Sequence, residues 1–377
     1  MFLSGIRVLE VASVITGPMA GQILADLGAD VVKVESPPDG DAFRKWEGKG
    51  GGVRPPFAAF NRGKRSIALD LRDESDRRRY VRLLEGADVV IENFRHGAMD
   101  RLGFSWDEVR RINPRVVYCY ISGFGTFGPD RDRPAYDAVA QAASGLWSQF
   151  VDATDPEPVG PPAADQLTAM NTATAALAGL QRRHATGEGC RLEIDMLSSC
   201  ISFQALSVAS LRREGVVPHK KTRAYDSQAY AFVAGDGKPF CIHLSSVPKF
   251  WAGLCAAVER TELERDERFA DKRARVEHYE ALHAELAAVF AERPRDEWIA
   301  QLRRHDVPCA PIADLAEALS GAQVQAGGIV TESGDPELDG LARLPIRFEG
   351  AFVANDRRPP LVGEHAAELA EDVISVE

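Results

Sequence analysis

The chain has 377 residues, with 45 Lys and Arg against 56 Asp and Glu for a net charge of −11. This length predicts two or three domains, or one large domain with an insertion, and this charge repels nucleic acid and anionic membranes, so neither is expected as a partner. The apolar runs fall far short of the roughly 20 residues of a membrane span, and the start, MFLSGIRVLEVAS, lacks the basic and apolar regions of a signal peptide, which predicts a cytoplasmic protein.

In chain order the sequence opens β-α-β. IRVLEVA (6–12) reads as a buried strand, GPMAGQILADLG (17–28) as a helix with Pro near its start and Gly at its end, and ADVVKVE (29–35) as a second strand. A strand IALDL (67–71), a charged helix (73–86), a strand ADVVIENF (87–94), a helix after HGAMDRLG and a strand VVYCYISGFG (116–125) follow. Strands alternating with helices predict an α/β fold with a large, doubly wound, mostly parallel sheet. The pentapeptide GADVV occurs at 28–32 and 86–90; a helix stop before a buried strand produces it without any repeat architecture.

From about 215 the texture changes. AYAFVAGDGKPFCIHL (229–244) predicts a hairpin turning at Gly-Asp-Gly, followed by helices over 247–260, 275–291 and 295–305 and an extended-then-helical stretch at 305–319. The expected organisation is a large α/β domain over 1–205, a small α+β domain over 220–310, and a C-terminal segment, 325–377, that returns to the large domain.

Six cysteines (119, 190, 200, 241, 255, 309) form no CxxC pair, and eight histidines show no HxxxH or HExxH spacing. Reduced thiols and no structural metal are expected. The first βα turn, VASVITGPMAG, lacks the GxGxxG of dinucleotide binding; GKGGG (48–52) lacks the rest of a P-loop; no GxSxG marks a hydrolase. Ligands of open parallel sheets bind beyond the C-terminal strand ends, and these ends carry Arg44, Arg72, Arg95 and Arg101, each on its own an ordinary surface arginine. One acidic residue stands out. Asp165, in GPPAADQLTAM, precedes a long run of small residues. It reads either as the cap of a helix, worth about 1 kcal/mol, or as a carboxylate nucleophile, ionised at neutral pH.

The ordered blocks GIRVLEVASVITGPMAGQILADLGADVVKVE, FNRGKRSIALDL, ADVVIENFRHGAMDRLG, YISGFGTFGP, PAYDAVAQAASGL, ADQLTAM, DVPCAPI and LVGEH closely resemble the class III CoA-transferases, the CaiB/BaiF family, which includes formyl-CoA:oxalate CoA-transferase. The resemblance runs from about residue 5 to the tail. It implies an enzyme in which Asp165 attacks an acyl-CoA thioester and passes CoA to a carboxylic acid acceptor through aspartyl anhydride and aspartyl-CoA intermediates. It further implies a coenzyme A thioester as substrate, no tightly bound cofactor or metal, and an interlocked homodimer. Carried over by position, Leu69 and Arg72 match contacts to the CoA nucleotide. Asn93, Phe94, Ala98 and Arg101 match the adenine and phosphate neighbourhood, and Ile15, Thr16 and Gly17 the loop near the thioester. There are departures. Ser36 stands where the family often has an arginine before the proline. Pro134, next to Arg133, replaces a lysine of the oxalate enzyme, and HLSS (243–246) replaces its tetraglycine loop, so that His243 and Ser245 become candidates for shaping an acceptor pocket. α-Methylacyl-CoA racemase shares the fold but uses a histidine where this chain has Tyr136; a phenol titrating near roughly 10 is a poor base at neutral pH. A CoA-binding protein without turnover, with Asp165 only as a cap, remains the alternative of a different class.

Overall fold

The computed structural model describes residues 1–46 and 53–374; the GKGGG stretch lies outside the described residues. The described chain divides into two compact units. One contains residues 1–147, 158–209 and those from 328 on; the other contains 148–157 and 210–327.

The first unit begins with β1 (Arg7–Val11), α1 (Thr16–Asp26), β2 (Asp30–Glu35), α2 (Pro55–Asn61), β3 (Arg65–Ala68), α3 (Glu74–Glu85), β4 (Val89–Glu92), α4 (Ala98–Arg101), α5 (Trp106–Ile112) and β5 (Val117–Ser122). It continues with α6 (Asp137–Ala143), α7 (Ala163–Thr186), β6 (Cys190–Asp195) and α8 (Met196–Phe203), after which α9 (Ala205–Glu214) leads out of it. The six strands form one parallel sheet in the order β3-β2-β1-β4-β5-β6, the doubly wound arrangement whose order reverses between β1 and β4.

Both faces of the sheet are covered, which is why the central strands are rich in buried Val, Leu and Ile. Val8, Val31, Val89, Ile91, Val117 and Cys119 pack against Ala20, Leu24 and Ala25 of α1 and the alanines of α7. On the other face Leu9, Val32, Val90 and Tyr118 meet Tyr80 and Leu84 of α3 and Val109 of α5. β6 has no counterpart in the sequence reading. At the sheet edge its residues alternate between half-buried and exposed as far as buried Asp195, with Arg191 and Glu193 exposed, so no apolar run marks it.

The GPMAG motif has a packing cause. A Cβ at Gly17 would lie 2.3 Å from the Ala12 Cβ, and one at Gly21 would lie 2.0 Å from Glu10 Oε2. Two glycines one turn apart let α1 settle on β1 and leave room for the Glu10 carboxylate.

The second unit contains α10 (Thr222–Ser227), β7 (Ala229–Val233), β8 (Pro239–His243), α11 (Pro248–Ala257), α12 (Lys272–Glu277), α13 (Tyr279–Phe290), α14 (Arg295–Arg304), β9 (Cys309–Pro311), α15 (Leu315–Ser320) and α16 (Ala322–Gly327). Its sheet is antiparallel in the order β7-β8-β9, over a core of Phe232, Phe240, Phe290 and Trp298. His243 at the end of β8 is exposed and Ser245 half-buried with φ 52°. The tail forms a short hairpin of β10 (Arg347–Phe348) and β11 (Ala351–Phe352) and ends in α17 (Ala366–Ile374), whose Leu369 joins the core of the first unit. No described helix is long and apolar enough to cross a membrane.

Candidate active site

Where the strand order reverses, the turns after β1 and β4 are tied together. Asn93 Oδ1 accepts from the Ser13 amide at 3.1 Å, and its Nδ2 donates to the Ser13 carbonyl at 2.9 Å. The turn after β1 is itself bent: Val14 sits at φ 72°, a left-handed conformation costly for a β-branched residue. Its amide is received by the Asp41 carboxylate at 3.2 Å.

Asp41 belongs to a buried ionic cluster under this turn. Lys33 Nζ lies 2.8 Å from each of Glu10 Oε1, Asp41 Oδ2 and the Ala12 carbonyl, which uses all three of its donors. Lys64 Nζ donates to the Pro18 carbonyl at 2.8 Å and to Asn61 Oδ1 at 2.9 Å. It also stands 2.7 Å from Glu10 Oε2, an ion-pair contact at an angle outside hydrogen-bond geometry. These four charged side chains are fully shielded from solvent. Burial works against the Lys33 ammonium, but Glu10, Asp41 and Glu35 outweigh it and hold its pKa above the ordinary lysine value. Burial dominates at Lys64, where Glu10 pulls up and neighbouring Lys33 pulls down, and the pKa falls to about 8. Asp41 is kept below the ordinary carboxylate range: burial pushes up, and Lys33 with the Phe43 and Val14 amides overcomes it.

Thr16, the first residue of α1, points its hydroxyl at Asp165, 149 residues later, and donates to Oδ1 at 2.6 Å. Asp165 is 9% exposed and Thr16 5%. The reading of Asp165 as a helix cap is corrected here. Pro162 holds the N-cap position of α7, and Asp165 is the third residue of the helix. The cap comes from α6, where Asp137 Oδ1 accepts from the Ala164 amide at 2.8 Å and the Asp165 amide at 3.3 Å. The helix start is therefore satisfied by another carboxylate, and that of Asp165 is available elsewhere. Asp137 is in turn held by Gln141 Nε2 at 2.7 Å. Burial raises the Asp165 pKa, the Thr16 bond lowers it, and the Asp137 charge raises it again, to about 6.

Asp165 and Thr16 line a cavity of about 210 Å³ together with Asn93, Phe94, Tyr136 and Pro134. Tyr136 is 72% exposed at its rim. Arg95, one of the strand-end arginines, and Arg133, beside the substituted lysine position, line the same cavity, and so do His96 and Arg131, which sequence reasoning missed. Behind Phe94, the Glu92 carboxylate accepts from the Phe94 amide at 2.9 Å and Tyr118 Oη at 3.1 Å, and burial lifts its pKa to about 7.

The remaining expected site residues lie apart from the cavity wall. Ile15 packs with Phe43 and Phe57, Gly17 lies against Ala12, and Leu69 is buried in the core. Arg72 is exposed and bound to Asp70 by Nε at 2.9 Å and Nη2 at 3.0 Å. Ala98 is half-buried and Arg101 exposed, both on α4. Among the described residues no group of three His, Cys, Asp or Glu is placed to hold a metal ion.

The Asp165 carboxylate thus lies buried by the switch point of a doubly wound sheet, outside the C-terminal strand ends, where ligands of such sheets bind. The profile of CoA-transferase family III matches residues 3–366. The chain is 32% identical to acetyl-CoA:oxalate CoA-transferase of Acetobacter aceti over 99% of this chain and 96% of that protein. It is 31% identical to succinate–glutarate CoA-transferase of Agrobacterium fabrum over 100% and 96%. A CaiB/BaiF family protein from Brucella suis superposes with a TM-score of 0.87 at 34% identity, covering 98% of both chains. The chain belongs to CoA-transferase family III, and it is an enzyme of that class acting on CoA thioesters.

If ionised Asp165 is the working form, kcat/KM for CoA transfer is expected to fall about tenfold per pH unit below about 6 and to level off above it. Initial rates between pH 4.5 and 8 check this; a flat profile across pH 5 to 7 contradicts it.

Proposed function

We propose that this enzyme moves CoA from an acyl-CoA donor to a small carboxylic acid with Asp165 as nucleophile. The observation that supports it is the placement of the Asp165 carboxylate: buried, lining the cavity, held by one hydroxyl and free of the capping role. The cavity is smaller than the roughly 300–1,000 Å³ of sites that enclose a whole ligand, which suits the reacting end of a thioester with the rest of CoA lying outside. The arginines of the rim are suited to anionic groups of CoA or of the acids. On this reading Leu69, Arg72, Asn93, Phe94, Ala98 and Arg101 border the nucleotide, and Ile15, Thr16, Gly17 and Tyr136 the thioester arm.

Asp165 adds to the thioester carbonyl and the thiolate leaves, giving a mixed anhydride. The thiolate then adds to Asp165 Cγ and expels the donor acid, leaving an aspartyl-CoA thioester. The acceptor carboxylate adds to that thioester, and the thiolate finally takes the acceptor's acyl carbon and returns Asp165. No net proton moves, and each step is an acyl exchange between good leaving groups. Exposed apolar side chains on α7, α8 and α9, among them Met170, Leu177, Phe203 and Leu206, support the homodimer the resemblance implies.

The test is to mix enzyme and acyl-CoA without acceptor, digest, and look for CoA or its hydroxylamine product on Asp165. With acceptor carboxylate labelled by ¹⁸O, one labelled oxygen should reach Asp165 and then the donor acid of the next turnover. Absence of both signals in an active preparation overturns the reading, and deuterium wash-in at Cα of a 2-methylacyl-CoA would point to racemisation instead.

A further inference from the structure

We infer that Thr16 is a catalytic residue: its hydroxyl is the donor that stabilises the oxyanion formed on Asp165 itself. The inference rests on Asp165 acting as the nucleophile.

The two oxygens of Asp165 are not equivalent. Oδ1 accepts the Thr16 hydroxyl at 2.6 Å, whereas Oδ2 has no hydrogen-bond partner among the described residues. An ionised carboxylate only accepts, so the hydroxyl must donate. The unengaged Oδ2 attacks the thioester and becomes the bridging oxygen of the anhydride, and Oδ1 remains as the aspartyl carbonyl oxygen, still facing Thr16. When the CoA thiolate adds to Cγ, the pair of electrons of the Cγ–Oδ1 π bond moves to Oδ1, and a full negative charge develops where the donor already stands. Collapse of that intermediate breaks the Cγ–Oδ2 bond and releases the donor acid. Attack of the acceptor carboxylate on the aspartyl thioester puts the charge on Oδ1 a second time, and collapse then breaks the Cγ–S bond. Two of the four acyl exchanges thus build their oxyanion on this atom, and a donor aimed at it before the reaction costs no reorganisation.

Thr16 is held for such a task from several sides. Its own β-branch restricts χ1. Gly17 packs against Ala12, and the Pro18 carbonyl is bound by buried Lys64. The preceding turn is tied down by Asp41 at Val14 and by Asn93 at Ser13. Valine has nearly the shape of threonine, so the hydroxyl can be removed with little change in packing.

The experiment compares wild type with Thr16→Val and Thr16→Ser, by steady-state transfer and by the rate at which acyl-CoA alone loads CoA onto Asp165. Thr16→Val is expected to lose roughly 10²- to 10³-fold in kcat, as for removal of one oxyanion donor, with KM for the acyl-CoA within a few-fold. Its loading of Asp165 should slow by a similar factor, and Thr16→Ser should recover most of both rates. Loading and kcat of Thr16→Val at wild-type levels overturn the inference, as does a loss that Thr16→Ser fails to repair in a protein with wild-type melting. If wild type itself never loads Asp165, the nucleophile reading has failed instead, and the two failures are told apart.

Discussion

Asp165→Asn is expected to reduce CoA transfer by roughly 10³-fold or more and, at the same time, to make the protein harder to unfold. The first effect follows from removing the only atom that can attack while keeping an oxygen for Thr16 to bond. The second follows from burial. Asp165 has a folded pKa of about 6 against 3.8 for an ordinary aspartate, so keeping it ionised in the fold costs up to about 3 kcal/mol. The sign fixes the pH range. A pKa raised on folding favours the folded state in full below about pH 4, and that advantage is lost as pH rises through about 6. The gain from Asp165→Asn should therefore be largest above pH 7 and vanish near pH 4. Melting curves of both proteins at pH 4.5 and 8, beside their transfer rates, check both halves. A variant that melts lower than wild type at pH 8 would contradict the burial argument.

Lys33→Met is expected to be the most damaging single change away from the reacting atoms. It fits a similar volume, but it leaves Glu10 and Asp41 buried with Lys64 as the one remaining cation of the cluster. Breaking a buried pair by removing one partner costs about 3–5 kcal/mol, a large share of the stability of a domain. Asp41 also holds the Val14 amide in its left-handed turn, so activity should fall more steeply with urea than in wild type. Urea unfolding followed by tryptophan fluorescence is the check. A loss under 1 kcal/mol would show that the cluster is neutralised by water or by protonation of a carboxylate. Lys33→Arg is the useful control, because it keeps the charge while changing the geometry.

Much of the first unit is legible in the sequence because its central strands are buried on both sides. VLEV, DVVKVE and VVIE carry apolar runs that only a covered parallel sheet requires. β6 is not legible, since an edge strand needs no such run. The proposed nucleophile, Asp165, is visible through family resemblance alone. Its local sequence, GPPAAD, fits a cap equally well, and in the structure Asp137 of another helix takes that place. The buried charges are hidden for the same reason. Lys33 is one residue of an expected strand, and nothing in ADVVKVE shows that Glu10, Asp41 and Lys64, far apart in the chain, come to surround it.

In other doubly wound proteins the first turn of the first helix commonly cradles the phosphate of a bound nucleotide. Here that seat is already taken by a side chain of the same polypeptide: the anion beside Thr16 is Asp165. On the proposed reading of Asp165 as nucleophile, the place where such folds hold a ligand by its phosphate becomes a point of covalent attachment. A fold suited to holding a cofactor by its phosphate can in this way carry its passenger by a covalent bond, and a glycine-rich phosphate loop at this turn would have nothing left to bind.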